Sequence, residues 1–264
     1  MTEYVYNRLD RLHEISAGWV PGVKELAIYG HATDVDHGVV GDVDIWAGAG
    51  AGGALFTGFP AAAETLTLTS TSADDAAAGT GARTVYLEGV DSTWAEITET
   101  VTLTGLTGAD TNAEFLRVNS ARVITSGTGR TNAGAISITH TTTTANNFGP
   151  ILVGNSLREV CGFSVPAGKQ VIIDRLFLGT RNTGGGPATR QAALLGIRAT
   201  FSEAGPWITS YQFWVPTDAT PVTMPFEGAV ALPEKCDFIG HVTDATADNL
   251  DITMGIGALQ CTAR

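Results

Sequence analysis

The densest set of groups able to do chemistry lies between positions 31 and 44, where His31, Asp34, Asp36, His37, Asp42 and Asp44 fall close together. Asp34-Val-Asp36 and Asp42-Val-Asp44 alternate, so on an extended chain each pair points its carboxylates to one side. Such oxygen donors suit a hard cation such as calcium, but the EF-hand spacing is absent. The same residues serve equally to keep an extended segment solvated or to cap turns, and no metal is assigned to them. A second acidic pair, Asp74-Asp75, lies beside Gly79 and Gly81 in a turn. Adjacent carboxylates on a turn do not oppose each other across a cleft, as glycoside hydrolysis requires. Their expected use is to accept backbone N–H groups and close the loop. The run GAGAGG, Gly48 to Gly53, matches GxGxxG in form. Phe56-Thr-Gly-Phe-Pro60 follows it, however, and cannot open the helix whose N-terminus would hold a pyrophosphate. Five histidines are present without a GxSxG elbow or another recognisable nucleophile context. No catalytic residue and no cofactor follows, and the chain is not expected to be an enzyme.

Aromatic side chains offer recognition rather than catalysis. Trp207, Tyr211, Phe213 and Trp214 sit on one predicted strand and its approach. Alternation puts Tyr211 and Phe213 on one face and Trp214 on the other, which reads as a core face plus an exposed contact. Trp207, Tyr211 and Trp214 are the candidates for a patch that meets a partner subunit or a glycan, because Trp and Tyr dominate interface hot spots.

The elements that position these residues are strands. From Glu64 to Ile138 the chain alternates apolar and hydroxyl residues, with Leu66 and Leu68 set against Thr65, Thr67 and Thr69. A period of two marks strands with one buried and one wet face. Val85 and Leu87, Val101 and Leu103, Phe115 to Val118, Val123 to Thr125 and Ile136 to Ile138 continue the pattern between Gly, Asp, Asn and Ser turns. After the polar run Thr141 to Asn147, seven more candidates follow: 159–165, 170–178, 194–201, 208–215, 222–226, 236–243 and 250–256. The expected fold is all-β, with two β-sandwich domains of jelly-roll or immunoglobulin-like type at 54–144 and 145–264. Residues 1–53 read as an extended N-terminal arm and linker, with a short helical stripe at Val5, Leu9 and Leu12. The arm is aperiodic and punctuated by glycine, yet Trp19, Val20, Leu26, Ile28, Tyr29 and Trp46 are too many apolar residues for a free tail. They are expected to dock on a neighbouring surface. On that reading, removing Met1 to Gly41 leaves the β domains folded.

Composition excludes several classes. The net charge is −12, with 15 basic and 27 acidic residues and no basic cluster, which disfavours nucleic acid and anionic membranes as partners. Cys161, Cys236 and Cys261 form neither a disulfide framework nor a zinc site and read as small buried hydrophobes in a reducing compartment. The first residues lack signal-peptide character, so synthesis in a cytoplasm is expected.

Residues 63–138 resemble a module of tailed-bacteriophage virion proteins, of the kind found in phages of marine bacteria and cyanobacteria. The matching pieces are AETLTLTSTSADDAAAGTGARTVYLEGVDSTWAEITETVTLTG, FLRVNSARV and NAGAISI. The upstream GWVPGVKELAIYGHATDVDHG and DIW resemble the arm that often precedes it. The second block, with its VPAGK turn and LPEKCDF, is similar to the usual companion domain. The resemblance implies a virion structural protein without catalytic residues: head decoration or cement, head fibre, or tail component. Bulk properties favour a homotrimeric cement protein on the outer surface of the head, partnered by the major capsid protein. The alternatives are a head-fibre or receptor-binding protein and, more distantly, a carbohydrate-active β-sandwich enzyme.

Overall fold

The computed structural model describes residues 14–15, 17–36, 43–48, 53–183, 192–216, 222–245 and 249–263. The Val5–Leu12 stripe, His37, Asp42 and most of the GAGAGG run lie outside them. The fold is all-β, with several antiparallel sheets.

The first unit contains β3 (Glu64–Ser70), β4 (Ala82–Val90), β5 (Glu96–Thr102), β6 (Ala109–Phe115), β7 (Arg117–Ser126) and β8 (Ile136–His140). They form two three-stranded sheets, in the orders β6-β3-β8 and β5-β4-β7. The alternation works as read: Leu66, Leu68, Val85, Leu87, Leu103, Phe115, Ile136 and Ile138 fill the core between the sheets. The threonines face outwards, where Thr65, Thr67 and Thr141 link their hydroxyls across β3 and its neighbours. Phe148 and Ile151, expected in the second domain, also pack into this first core.

The second unit contains β9 (Gly162–Ser164), β10 (Lys169–Asn182), β11 (Ala192–Ala199), β12 (Ile208–Pro216), β13 (Val222–Leu232), β14 (Asp237–Ala245) and β15 (Leu250–Thr262). Two further strands come from the region read as an arm, β1 (Val23–Val35) and β2 (Val43–Asp44). One sheet has the order β1-β15-β10-β13; the facing sheet runs β12-β11-β14-β2, with β9 also paired to β14. Their shared core includes Leu26, Ile28, Val35, Val43, Ile45, Ile173, Leu195, Phe238, Ile252 and Ile256.

The arm is therefore a correction. Val23 to Val35 pairs with β15 in continuous antiparallel register, from Val23↔Cys261 to Ala32↔Ile252 before a bulge. Its period is hidden because both faces carry apolar or small residues: Leu26, Ile28, Gly30 and Ala32 point in, while Ala27 and Tyr29 point out. Gly30, which looks like punctuation, sits mid-strand because the backbone crosses closely there; a Cβ would lie 2.3 Å from the amide nitrogen of Cys161 and 2.6 Å from the Ile45 carbonyl. Docking does occur, but within the chain's own second unit.

Candidate binding surfaces

Where the two units meet, buried aromatic and charged side chains converge, and the pair Arg117–Asp237 joins the units directly. The linker after β2 carries Phe56 and Phe59 into the seam, where Trp46, Phe56, Phe59 and Trp207 form a chain of rings with centroids 5.4, 5.0 and 5.2 Å apart. Three arginines lie against it: Arg158 over Phe56, Arg117 over Phe59 and Arg198 over Trp207, at 5.7, 5.7 and 4.3 Å. Arg117, on β7 of the first unit, forks onto Asp237 of β14, with Nε 3.0 and 3.2 Å and NH2 2.8 Å from its carboxylate oxygens. Its NH1 donates to the carbonyls of Pro60 and Leu116. Asp237 also accepts from the Ser164 hydroxyl, and its own N–H donates to Thr200 Oγ1.

Asp44, one of the candidate metal-ligating residues, is fully buried in this seam. It accepts from the Phe56 N–H and from Arg198, and His241 Nδ1 lies 3.0 Å from its other oxygen. Asp36 accepts from the Asn249 N–H, while Asp34 lies at the β1 bulge with φ +58°. That left-handed residue breaks the alternation on which a paired Asp34–Asp36 presentation depended. Among the described residues no three His, Cys, Asp or Glu side chains converge as metal ligands.

Asp75 does what its turn implied. Its buried carboxylate accepts from the N–H groups of Ala82, Ala133 and Gly134 at 2.7–2.8 Å and from the Ser70 hydroxyl at 2.6 Å, so one side chain ties three loops together. Burial pushes its pKa up, but these four donors outweigh burial and hold it below the usual carboxylate range. A depressed folded pKa stabilises above the unfolded value and is lost as pH falls through the folded one. Asp75→Ala, which takes the acceptor from three backbone N–H groups and the Ser70 hydroxyl, should cost roughly 3 kcal/mol at pH 7. In urea titrations the wild type should lose stability below about pH 4 and Asp75→Ala should lose less over the same range; parallel pH profiles would refute the assignment.

The three thiols are spread through the second unit rather than gathered into a site. Burial pushes Cys161 up strongly and Cys236 to about 12, with the Asp237 charge adding to the latter. Both are buried, whereas Cys261 is partly exposed and accepts from the Gln170 amide.

The contact residues read from the sequence divide sharply. Leu26, Ile28 and Trp46 are buried in this chain's own clusters and cannot also face a neighbouring subunit. Val20 is half-buried. Trp19 is 75% exposed beside the start of β1, and Tyr29 is 42% exposed on its outer face. The β12 patch also changes shape. Trp207 belongs largely to the seam, whereas Trp214 is 52% exposed on an edge strand, roughly 20 Å further along at the rise of an extended chain. Tyr211 takes φ +56° where the register with β11 shifts between Leu195 and Ile197. That bulge leaves Phe213 packed on the core and Tyr211 42% exposed, so the two do not share a face.

One surface escaped the sequence reading. The outer face of the β1-β15-β10 layer forms a groove of about 840 Å³. Its floor is β15, with Thr253, Gly255 and Gly257 at alternate positions. In register, Tyr29 and Phe177 flank Gly255, His31 and Gly179 flank Thr253, and Ala27 and Arg175 flank Gly257. The available signal was the alternation of Thr253, Gly255 and Gly257 on one strand face.

No family model matches the chain, and no curated protein does. Among solved structures it is similar to one of infectious bursal disease virus, Gt strain, at 11% identity and a TM-score of 0.24, over 95% of this chain and 78% of that one. It is also similar to T=1 particles derived from infectious bursal virus, at 10% identity and a TM-score of 0.12, over 92% of this chain and 78% of that one. Likenesses this slight assign nothing to the surfaces described above.

Proposed function

We propose that the chain is a non-enzymatic structural protein of a tailed-phage virion, and within that class a cement or decoration protein that clamps neighbouring major capsid subunits as a homotrimer on the outer head surface. The observation that supports this reading is the pairing of a buried, ion-paired seam with outward aromatics. Two sandwiches are locked by buried arginine–aromatic and Arg117–Asp237 contacts, while Trp19 and Trp214 stand exposed away from that seam. Exposed anchors on a body joined in this way each contribute weakly, and repeated weak anchors on a lattice sum through multivalency. The module resemblance at 63–138 and the acidic surface point the same way.

The contact residues in this proposal are Trp19 and Trp214 rather than the buried members of the former arm. In pull-downs on capsids stripped of this protein, Trp19→Ala/Trp214→Ala should lose about 2 kcal/mol or more, roughly a thirtyfold drop in affinity. Purified DNA-filled particles should hold copies on the order of hundreds, as lattice-wide occupancy requires. Unchanged capsid binding by the double variant would remove these contacts. A count of only a few copies would transfer the protein to a vertex, fibre or tail.

A further inference from the structure

We propose that the outer face of the β1-β15-β10 layer is a saccharide-binding groove. It takes a short oligosaccharide whose apolar ring faces stack on Tyr29 and Phe177 above Gly255, and whose hydroxyls bond to Asp251, Arg181 and Thr253. This site is separate from the β12 aromatics and stands whether or not the virion reading holds.

The geometry begins with the register. Tyr29, Gly255 and Phe177 are Cα neighbours on three adjacent strands. Two strand spacings separate the aromatic residues by about 9–10 Å, with no side chain on the residue between them. Phe177 is 45% and Tyr29 42% exposed, and neither ring stacks on another among the described residues. The glycines make the hollow. A Cβ on Gly179 would meet nothing within 4 Å, so open space lies above the strand there. A Cβ on Gly255 would touch the Phe177 ring at 3.4 Å, because that ring leans over the glycine, so a larger side chain there would push the ring away.

The ends are polar. At one, Arg175 crosses over Gly257 to meet Glu25 at 3.1 Å, closing the groove. At the other, Asp251 and Arg181 are Cα partners, next to the row of His31, Thr253 and Gly179. Carboxylates and guanidinium groups hydrogen-bond hydroxyl pairs, while exposed rings accept the C–H faces of a pyranose. A wholly apolar occupant would strip water from both charged ends without replacing its hydrogen bonds, which is costly. An occupant with apolar faces and a hydroxylated rim satisfies both, and the volume falls within the range of small-ligand sites.

The test uses the full chain, fluorescently labelled, on an array of bacterial surface oligosaccharides together with cellotriose, maltotriose and tri-N-acetylchitotriose, followed by calorimetry on the strongest of them. Wild type should bind, and Phe177→Ala should weaken binding about tenfold, the loss of one stacking partner. Gly255→Val should abolish it by pushing the Phe177 ring away, while Trp214→Ala should leave it unchanged. Phe177 is exposed, so its variant stays informative even where Gly255→Val fails to fold. Absence of binding at millimolar saccharide overturns the proposal, as does equal binding by Phe177→Ala. Concentration-dependent self-association that Phe177→Ala abolishes would also overturn it, marking the face as a contact between copies.

Discussion

Asp237→Ala will cost roughly 3–5 kcal/mol, because it strands a buried guanidinium. Arg117 and Asp237 are both almost wholly buried, at 8% and 5% side-chain exposure. Without the carboxylate, Arg117 keeps the carbonyls of Pro60 and Leu116 and the faces of Phe59 and Trp94, none of which carries the compensating charge. The Ser164 hydroxyl and the Arg117 Nε and NH2 groups lose their acceptor together. The damage lies between the units, so unfolding should separate into two transitions. The first sandwich, whose core of Leu66, Leu87, Phe115 and Ile138 does not depend on the pair, should persist to higher denaturant. Removing both partners, as Arg117→Met/Asp237→Leu, should restore most of the loss, because an apolar pair of similar volume leaves no charge uncompensated. Urea unfolding followed by tryptophan fluorescence and far-ultraviolet circular dichroism reads both effects. A single-variant loss under about 1 kcal/mol would show that the pair does not hold the seam.

The second large effect concerns the N-terminal strand. A chain beginning at residue 37 will not fold its second unit. It lacks Leu26, Ile28, Ala32 and Val35 from the core and the whole hydrogen-bonded flank of β15. Losing a buried Leu or Ile side chain alone costs about 2–5 kcal/mol, so several together exceed the stability of an ordinary domain. The first sandwich should survive as a folded fragment. Limited proteolysis of the truncated chain should therefore leave a protected core spanning about residues 60–151, with the remainder digested. A truncated chain that resists proteolysis throughout would show β1 to be dispensable, as the arm reading expected.

Strand alternation was legible wherever hydroxyl and aliphatic residues took turns, which is why the first sandwich and seven strands of the second could be placed from sequence. It failed where the wet face is not polar. Ala27 and Tyr29 line an apolar groove, and Gly30 replaces a core side chain with passing backbone, so β1 lost its period. The loop-closing role of Asp75 was readable because turn chemistry is local. Asp44, Arg117, Arg158 and Arg198 were not readable as a seam. Their partners lie far along the chain, as with Arg117 and Asp237, and nothing in the spacing of isolated charges announces a buried fork. The register of β12 was misjudged at a single left-handed residue, Tyr211, which no composition rule favours there. The groove was missed because its defining property is three strands wide.

The pairing of β1 with β15 also sets a timetable. The first sandwich is built from consecutive strands and can close as soon as it leaves the ribosome, whereas β1, made earlier, has no strand partner until β15 is synthesised. For that interval Leu26 and Ile28 lie on an unpaired strand bearing apolar residues on both faces, the kind of surface chaperones shield and neighbouring nascent chains capture. Joining strands so distant in sequence is slow. The yield of this protein in a cell should therefore be governed less by its final stability than by how long translation keeps β1 and β15 apart.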